Sequence, residues 1–430
     1  MQLVAYGAQD IYLTGNPQIT FFKVVYRRHT NFAVEPIELT FNGTVGASRK
    51  VTCTVARHGD LVHQMWLEMT IAAAAASSEG MSIIKSVEVE IGGQRIDKQY
   101  YRFMHGHARV FSSTDELVTL ASMTRTSGTA ATKVFVPLNF WFCNNPGLAL
   151  PLVALQYHEV KINVEFHKQI LFAAAVGSDT IAGADFNTAS IWANYVYLDT
   201  DERRRFAQTS HEYLIEQVQD TVESLTASSG GNVAVASATE KTSNITMAFN
   251  HPVKYLLWYM GHAADTVTVA AANGLNSAQD IYLSNAKLQL NGHDRFAERP
   301  GEYFGNLVPY QCGLGNEKHN NASMIEFGTV TQDTNEGRIN NLEGLDAALA
   351  TAVGTTTSGV KYYMYSFALK PQEHQPSGTC NFSRIDNARL QLKCKSTSDG
   401  AASTSTLHLF AVNYNVLRVM SGMAGLAYSN

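Results

Sequence analysis

Charged residues are scarce in this 430-residue chain, because Asp, Glu, Lys and Arg make up only 16% of it. An ordinary soluble domain has about 25%. The 32 Lys and Arg do not exceed the 37 Asp and Glu, and the formal net charge is −5. Since nucleic-acid binders neutralise phosphates with a basic excess, this balance excludes a general nucleic-acid binder. Ser, Thr, Asn, Gln and Gly replace the missing charges, which suits strands, turns and neutral surfaces that other copies of the chain could cover.

Cysteine and long apolar runs are also scarce. No stretch reaches the ~18 apolar residues that a membrane span requires, and residues 1–6 lack the basic and apolar regions of a signal peptide. The odd number and wide spacing of the cysteines indicate neither a disulfide framework nor a zinc module, and predict buried, reduced thiols in a cytosolic setting. The five cysteines are Cys53, Cys143, Cys312, Cys380 and Cys394.

The residues that are present favour strands. Val87–Ile91, Val160–Phe166 and Ala388–Leu392 each alternate apolar and polar side chains, and Gly, Asn, Pro and Ser clusters separate such runs. The 20 Phe and 19 Tyr supply material for a core, so the chain is not disordered. Helical periodicity is weak and local, with its best short cases at Leu117–Met123 and Asn341–Ala350. This pattern predicts an all-β sandwich or barrel.

An internal repeat relates the two halves of the chain. Five segments recur in the same order, and each is a strand followed by turn residues, so the matches support one another. The pairs are His63–Met69 with Tyr255–Met260, Val87–Arg95 with Ala286–Arg295, Tyr101–Phe103 with Tyr303–Phe304, Pro137–Phe142 and Glu159–Val164 with Tyr365–Leu369 and Asn387–Leu392, and Ala193–Leu198 with Val412–Leu417.

The repeat predicts two tandem jelly rolls of eight strands each. We expect an extended N-terminal arm over residues 1–25, a first jelly roll over 26–205, a linker over 206–214 and a second jelly roll over 215–430. The arm precedes the repeat and carries apolar side chains that need cover, so it is expected to pack on a neighbouring subunit or layer. Four stretches of small polar residues are predicted to be surface loops: Thr221–Thr242, Ala263–Asn276, Thr351–Gly359 and Ser396–Thr404.

Two histidine groups are candidates for chemistry. His105 and His107 flank Gly106 and could supply two metal ligands, but a pair on a glycine turn with no third ligand nearby favours a solvated or hydrogen-bonded pair. His58 and Asp60, with His63 beyond, could form an acid–base site. The structural interpretation, a turn before the strand that holds Trp66, is favoured.

The remaining candidates are also better explained structurally. Glu88 and Glu90 lie on one face of a strand, without the opposed geometry that glycoside cleavage requires. Trp66 and Trp258 occupy matching places in the repeat, which favours paired core anchors over a ligand platform. Arg203–Arg205 could contact phosphates, but neighbouring acidic residues favour a locally neutral linker. No catalytic, cofactor-binding or metal-binding residue is therefore predicted, and the chain is not expected to be an enzyme.

Three segments of the sequence resemble a known family. The run 7–32, which begins Gly-Ala-Gln-Asp-Ile-Tyr-Leu-Thr-Gly-Asn-Pro-Gln, is similar to the start of the major capsid proteins of nucleocytoplasmic large DNA viruses. Residues 375–387 and the closing residues 413–427 are similar to the same family, whose compact algal-virus members have this length.

The resemblance implies a double jelly roll that forms homotrimeric, pseudo-hexameric capsomers of an icosahedral virion shell. The implied partners are other copies of the chain and minor capsid proteins, with the arm touching minor proteins or the inner membrane. No cofactor and no direct nucleic-acid contact are implied, and the implied place of assembly is the host cytoplasm. The alternatives are a secreted carbohydrate-binding or glycoside-hydrolysing β-sandwich protein, or a minor capsid or penton protein.

Overall fold

Ten strands form the framework of the first half of the chain, as far as the structure describes it. The computed structural model describes residues 7–71, 80–124, 131–167, 184–226, 240–262, 281–312, 362–396 and 404–428. The strands of the first half are β1 (Phe32–Leu39), β2 (Phe41–Asn42), β3 (Lys50–Val55), β4 (Leu61–Ile71), β5 (Ile84–Ile91), β6 (Gln94–Tyr100), β7 (Thr132–Pro137), β8 (Leu150–Pro151), β9 (Val160–Phe166) and β10 (Ala184–Leu198).

These strands form two antiparallel sheets that enclose one core. One sheet has the order β1-β10-β4-β7, with β8 on β4, and the other has the order β2-β3-β9-β5-β6. Alternation along the strands turns one set of side chains inward. Val87 and Val89 of β5 are thus fully buried and share a core with Leu67 and Met69 of β4. We call this jelly roll the first roll.

Short helices occupy the N-terminal arm and the connections between strands of the first half. They are α1 (Ile11–Thr14), α2 (Tyr101–Phe111), α3 (Thr114–Thr124) and α4 (Trp141–Asn144), with 3-10 turns at Gly80–Ile83 and Pro146–Leu148. Helix α3 confirms the helix predicted over Leu117–Met123, whereas α2 was not predicted. The other predicted helix, Asn341–Ala350, lies outside the described residues.

A short helix, α5 (Thr200–Gln208), leads into the second half of the chain. The strands that follow are β11 (His211–Thr226), β12 (Lys241–Thr246), β13 (Pro252–His262), β14 (Ile281–Leu290), β15 (His293–Asp294), β16 (Arg299–Pro300), β17 (Tyr362–Ser366), β18 (Cys380–Asn381), β19 (Ala388–Ser396), β20 (Thr404–Met420) and β21 (Met423–Leu426). A π-helical turn (Tyr303–Leu307) runs into α6 (Val308–Cys312), and a 3-10 turn spans Phe382–Arg384.

The second half repeats the topology of the first. Its sheets have the orders β11-β20-β13-β17 and β12-β19-β14-β15, which match β1-β10-β4-β7 and β3-β9-β5-β6 strand for strand. The sequence repeat is confirmed, because its segments fall on the matching strands β4 and β13, β5 and β14, β9 and β19, and β10 and β20. The chain is a double jelly roll, and we call its second half the second roll.

The predicted surface loops are only partly loops. Strand β11 continues through Thr226 and β12 begins at Lys241, so both ends of the stretch Thr221–Thr242 are strand, because each pairs with a neighbour in its sheet. Ala263–Asn276 and Thr351–Gly359 lie outside the described residues. The same holds for 397–403, which lie between β19 and β20.

The N-terminal arm is exposed. Residues 7–31 precede β1, and apart from Asp10 their side chains are exposed to solvent. The large apolar side chains among them are Ile11, Tyr12, Leu13, Ile19, Phe21, Phe22, Val24, Val25 and Tyr26. Such a row of uncovered apolar groups is unusual for a free surface.

The cysteines are only partly as predicted. All five are free thiols; Cys53, Cys143 and Cys394 are buried, and burial raises the pKa of each of these three to about 12. Cys312 and Cys380 are half-buried, so the prediction of buried thiols is wrong for these two. In the parts of the chain that the structure describes, no helix is long and apolar enough to cross a bilayer.

Candidate assembly surface

Helix α2 of the first roll packs on the outer face of the second roll's sheet β11-β20-β13-β17. The approach is close at Gly106, where a Cβ atom would lie 2.5 Å from the Tyr362 ring and 3.2 Å from Leu257. Only glycine fits that distance without displacing the ring. The second roll's outer face therefore belongs to the same buried cluster as the first roll's core.

Aromatic contacts hold α2 in place. Phe111 meets the ring of Tyr255 edge to face at 5.1 Å, and Phe103 meets Phe410 at 5.7 Å. Such pairs add to the burial of their area by about 0.5–1.5 kcal/mol each. The contact is therefore an extension of the core and not a loose surface encounter.

The predicted histidine pair lies within α2, not on a glycine turn. The helix forms because its apolar residues are covered on both sides by the two rolls, which overrides the low helix propensity of Gly106. His105 is buried, and its Nδ1 lies 2.7 Å from the Tyr362 hydroxyl. Burial, with the charges of Arg109 and Arg102, holds the pKa of His105 well below its usual value. His107 packs against the ring of Phe111 at 4.9 Å. No group of three or more potential metal ligands occurs among the described residues.

A polar contact continues this interface along β6 and β11. The Val218 backbone N–H donates to Oδ1 of Asp97 at 2.9 Å, and the Gln99 side chain donates to Oδ2 at 2.9 Å. The Gln217 side chain also donates to the Ile96 carbonyl. Burial raises the pKa of Asp97 to about 6, although the hydrogen bonds from Val218 and Gln99 oppose the shift. A carboxyl group thus lies inside the contact between the rolls.

An ion pair between a buried lysine and a partly exposed glutamate lies on the second-roll side. Lys254 is 2% exposed, and its Nζ lies 2.5 Å from the Glu216 carboxylate. The ammonium also lies 5.6 Å from the ring centres of Tyr255 and Tyr414. Burial lowers the pKa of Lys254 below its usual value, and the charge of Glu216 opposes that shift.

The first roll carries its own outer sheet face, β1-β10-β4-β7, where Trp66 stacks on Trp192 with ring centres 6.4 Å apart. The interpretation of paired core anchors holds for Trp258, which is fully buried, and is wrong for Trp66, which is half-buried on the outer face. Bulges at different points of the two sheets shift the alternation of faces.

The carboxylate candidates are held by neighbouring strands. Glu88 lies 2.5 Å from Lys50 Nζ and 3.2 Å from Lys98 Nζ, and Glu90 accepts a hydrogen bond from Asn163 at 3.1 Å. Burial alone would raise the pKa of Glu88, but the two lysines lower it below its usual value. Both carboxylates serve cross-strand pairs in one sheet.

The second histidine group spans the turn before β4, which holds His58 and Asp60, and β4 itself, which holds His63. His58 packs on the ring of Tyr195 at 5.9 Å, and His63 Nδ1 lies 2.5 Å from the Phe142 carbonyl oxygen. Asp60 is buried and accepts from the Leu198 backbone N–H at 2.8 Å. These contacts fix loop ends and bring no acid–base pair together.

Asp60 also forms an ion pair with one arginine of the cluster Arg203–Arg205. Arg203, on α5, lies 2.8 Å from the Asp60 carboxylate through Nε. The cluster was predicted to be part of a linker, but Asp199 accepts a hydrogen bond from the Thr200 N–H and caps a helix there. The Arg203 guanidinium is therefore paired with Asp60 of the first roll, and not only with the acidic residues beside it in the sequence.

Comparisons with known proteins cover both rolls. The family described as major capsid protein N-terminus matches residues 20–199, and the one described as large eukaryotic DNA virus major capsid protein matches residues 202–341 and 349–425. The major capsid protein of Pyramimonas orientalis virus is 48% identical over 445 residues, covering 100% of this chain and 99% of its own. That of Paramecium bursaria Chlorella virus 1 is 42% identical over 480 residues, with the same shares.

Solved structures agree with the fold. The crystal structure of PBCV-1 VP54 superposes with a TM-score of 0.75 at 37% identity, covering 96% of this chain and 100% of that one. The Faustovirus major capsid protein shares the fold at 13% identity, with a TM-score of 0.60 over 96% of this chain and 94% of its own.

Two jelly rolls in tandem, joined through a buried contact, define the class of double jelly-roll capsid proteins. The chain belongs to the major capsid proteins of large eukaryotic DNA viruses, a family of virion structural proteins.

Proposed function

We propose that the chain self-assembles into homotrimers that act as pseudo-hexameric capsomers and tile the icosahedral shell of a large double-stranded DNA virus. The observation that carries this proposal is the matching strand order of the two rolls. Three chains supply six similar units, which is the number that hexagonal packing needs. Closed rings of identical chains are the common outcome for soluble assemblies.

The organisation of the chain follows from that role. The proposed divisions are the arm over 1–25, the first roll over 26–205, the linker over 206–214 and the second roll over 215–430, although β11 already begins within that linker, at His211. The uncovered apolar side chains of the arm support contact with minor capsid proteins or the inner membrane.

The proposal includes what the protein does not do. We propose no enzymatic activity, no cofactor and no direct contact with nucleic acid. We also propose that the protein resides in the virion capsid and that the capsid is assembled in the host cytoplasm. The net charge of −5 supports the last point about nucleic acid, and the binding of Glu88 by two lysines supports the absence of glycoside hydrolysis.

Native mass spectrometry and sedimentation of the purified chain test the proposal. The expected species is a trimer of the 47.1-kDa chain that persists on dilution. A chain that remains monomeric over a wide concentration range would contradict the proposal. Clear turnover or specific binding in an oligosaccharide screen would instead support the carbohydrate-active alternative.

A further inference from the structure

The two rolls of one chain contact each other through two different surfaces, one from each roll. Each roll therefore keeps one of the two kinds of surface that this contact does not use. The first roll contributes β6 and α2, and the second roll contributes the outer face of β11-β20-β13-β17. By the repeat, the second roll has its own counterpart of β6 and α2, namely β15 with the segment Tyr303–Cys312. The first roll has its own outer face, on β1-β10-β4-β7.

The second roll's counterpart surface is an open groove with apolar walls. Leu307 and Tyr310 line it and are 44% and 45% exposed. Tyr303 also lines the groove, and the Arg299 guanidinium lies 5.5 Å from its ring centre. In the first roll, Tyr101 matches Tyr303 in the repeat, and the Arg102 guanidinium lies 5.3 Å from its ring centre. In each roll an arginine thus lies near the matching tyrosine ring, although Arg102 follows its tyrosine and is buried, whereas Arg299 precedes its tyrosine and is exposed.

The first roll's outer face carries a matching apolar row. Pro137 of β7, Trp66 of β4 and Trp192 of β10 lie directly opposite one another on adjacent strands. Pro137 is exposed and the two tryptophans are half-buried. The row continues to the exposed Glu38 on β1, a carboxylate that suits the exposed Arg299 of the groove.

In the second roll, a row of side chains on the corresponding strands is covered and buried. Met364 of β17, Leu257 of β13 and Phe410 of β20 lie opposite one another on the three corresponding strands of the second roll. All three are fully buried, and α2 lies over them. The same topology therefore gives a buried row where the first roll's helix covers it and a partly open row on the first roll's own outer face.

We propose that the groove at Leu307 and Tyr310 docks on the Pro137–Trp66–Trp192 row of a second copy of this chain. The proposal rests on the capsomer function proposed above and names the surfaces that join its subunits. Because each chain carries one groove and one row, the contact is heterologous. A heterologous contact adds chains without limit unless the chains close into a ring.

Charged substitutions at an exposed residue of each surface test the docking. Leu307→Asp and Pro137→Asp each place an unpaired carboxylate in the proposed contact, and each is expected to reduce the native mass from trimer to single chain. Met420→Asp is the matched control, since Met420 is 52% exposed and lies on the β20–β21 hairpin. The control is expected to remain trimeric.

Mixing the two variants separates a head-to-tail contact from a symmetric one. A Leu307→Asp chain retains its row and a Pro137→Asp chain retains its groove, so the mixture is expected to form dimers of one chain of each kind and no larger ring. Trimers that persist in both single variants would overturn the docking, while leaving the capsid function intact. A wild-type chain that is monomeric would instead overturn the proposed function.

Cross-linking covers the case in which a charged variant does not fold. A chain that carries both Leu307→Cys and Pro137→Cys is expected to form disulfide-linked multimers with oxidised glutathione, beyond those of the wild-type chain treated alike. A chain with Met420→Cys and Pro137→Cys is the control. Equal cross-linking in the two double variants would overturn the docking.

Discussion

The ring of Tyr362 in the second roll lies directly on Gly106 of the first, where a Cβ atom would come within 2.5 Å of the ring. The hydroxyl of the same tyrosine lies within hydrogen-bond distance of His105 Nδ1, at 2.7 Å. One residue of β17 therefore sets how closely α2 approaches the second roll, through contact on one side and a hydrogen bond on the other.

Gly106→Ala is expected to destabilise the protein although alanine favours helices. Overpacking costs about 1–3 kcal/mol, while the gain in helix propensity is about 1 kcal/mol, so the net effect is a lower free energy of unfolding. Urea unfolding of the purified chain measures it. Gly305→Ala is the control, because a Cβ there would meet Tyr363 at an ordinary 3.6 Å. Equal stability of the two variants would contradict the close contact.

Asp97 is expected to make stability fall between about pH 4 and pH 6. Its pKa is about 6 in the fold and about 3.9 in an unfolded chain, so ionisation favours the unfolded state as the pH rises through that window. The stabilising contribution is complete below about pH 4 and lost above about pH 6, with a size of up to ~3 kcal/mol.

Asp97→Asn removes that ionisation and keeps an acceptor for the Val218 N–H. The expected result is a flatter dependence of unfolding free energy on pH between pH 4 and pH 7, measured by urea titration at each pH. Asp386→Asn, at an exposed position of the second roll, is the control. A wild-type slope that persists in Asp97→Asn would assign the effect to other carboxyl groups.

Glu216→Gln is expected to destabilise the second roll strongly, because it leaves the Lys254 ammonium buried without its partner. Breaking one side of a buried ion pair costs about 3–5 kcal/mol. Replacing both residues, with Glu216→Gln and Lys254→Met together, is expected to restore most of that loss. Thermal unfolding of the three chains measures the difference, and a double variant no better than the single one would argue against the pair.

Deletion of residues 1–25 is expected to leave the stability of the rolls unchanged within about 0.5 kcal/mol, since the described side chains from 7 onward touch solvent. Differential scanning calorimetry of the truncated and full chains tests this. The deletion is expected to reduce binding to virion partners instead, which co-sedimentation with purified particle components measures. A large drop in the unfolding temperature would place the arm against its own rolls.

The repeat made the fold predictable from sequence because strand alternation and turn residues are local signals. Val160–Phe166 was predicted to be a strand and forms β9 with the same limits. Helix α2 escaped prediction because Gly106 and its histidines disfavour a helix locally, and cover from the second roll decides its structure. The N-cap signal of Asp199, followed by Asp201 and Glu202 in the first turn, was present for α5 and could have been used.

The contact between the rolls could not be predicted, because sequence patterns do not reveal which outer face is covered. Tyr255, Leu257 and Tyr259 alternate with Leu256 and Trp258 along β13, and both sets are buried. Such a strand has no polar side to mark the exposed face, and only tertiary packing explains it. The opposite happens on β4, where Trp66 has the character of a core residue and is half-buried.

Helix α5, nine residues long, ties the two rolls of one chain together. Contact between these two rolls and contact between separate chains therefore depend differently on protein concentration. A short connection holds the rolls of one chain at a mutual concentration of the order of millimolar, so their contact is complete however few chains a cell contains. An equivalent contact between separate chains has no such tether and depends on how much protein has been made. The rolls of one chain are therefore joined as soon as it folds, whereas contact between chains forms only after enough of the protein has accumulated.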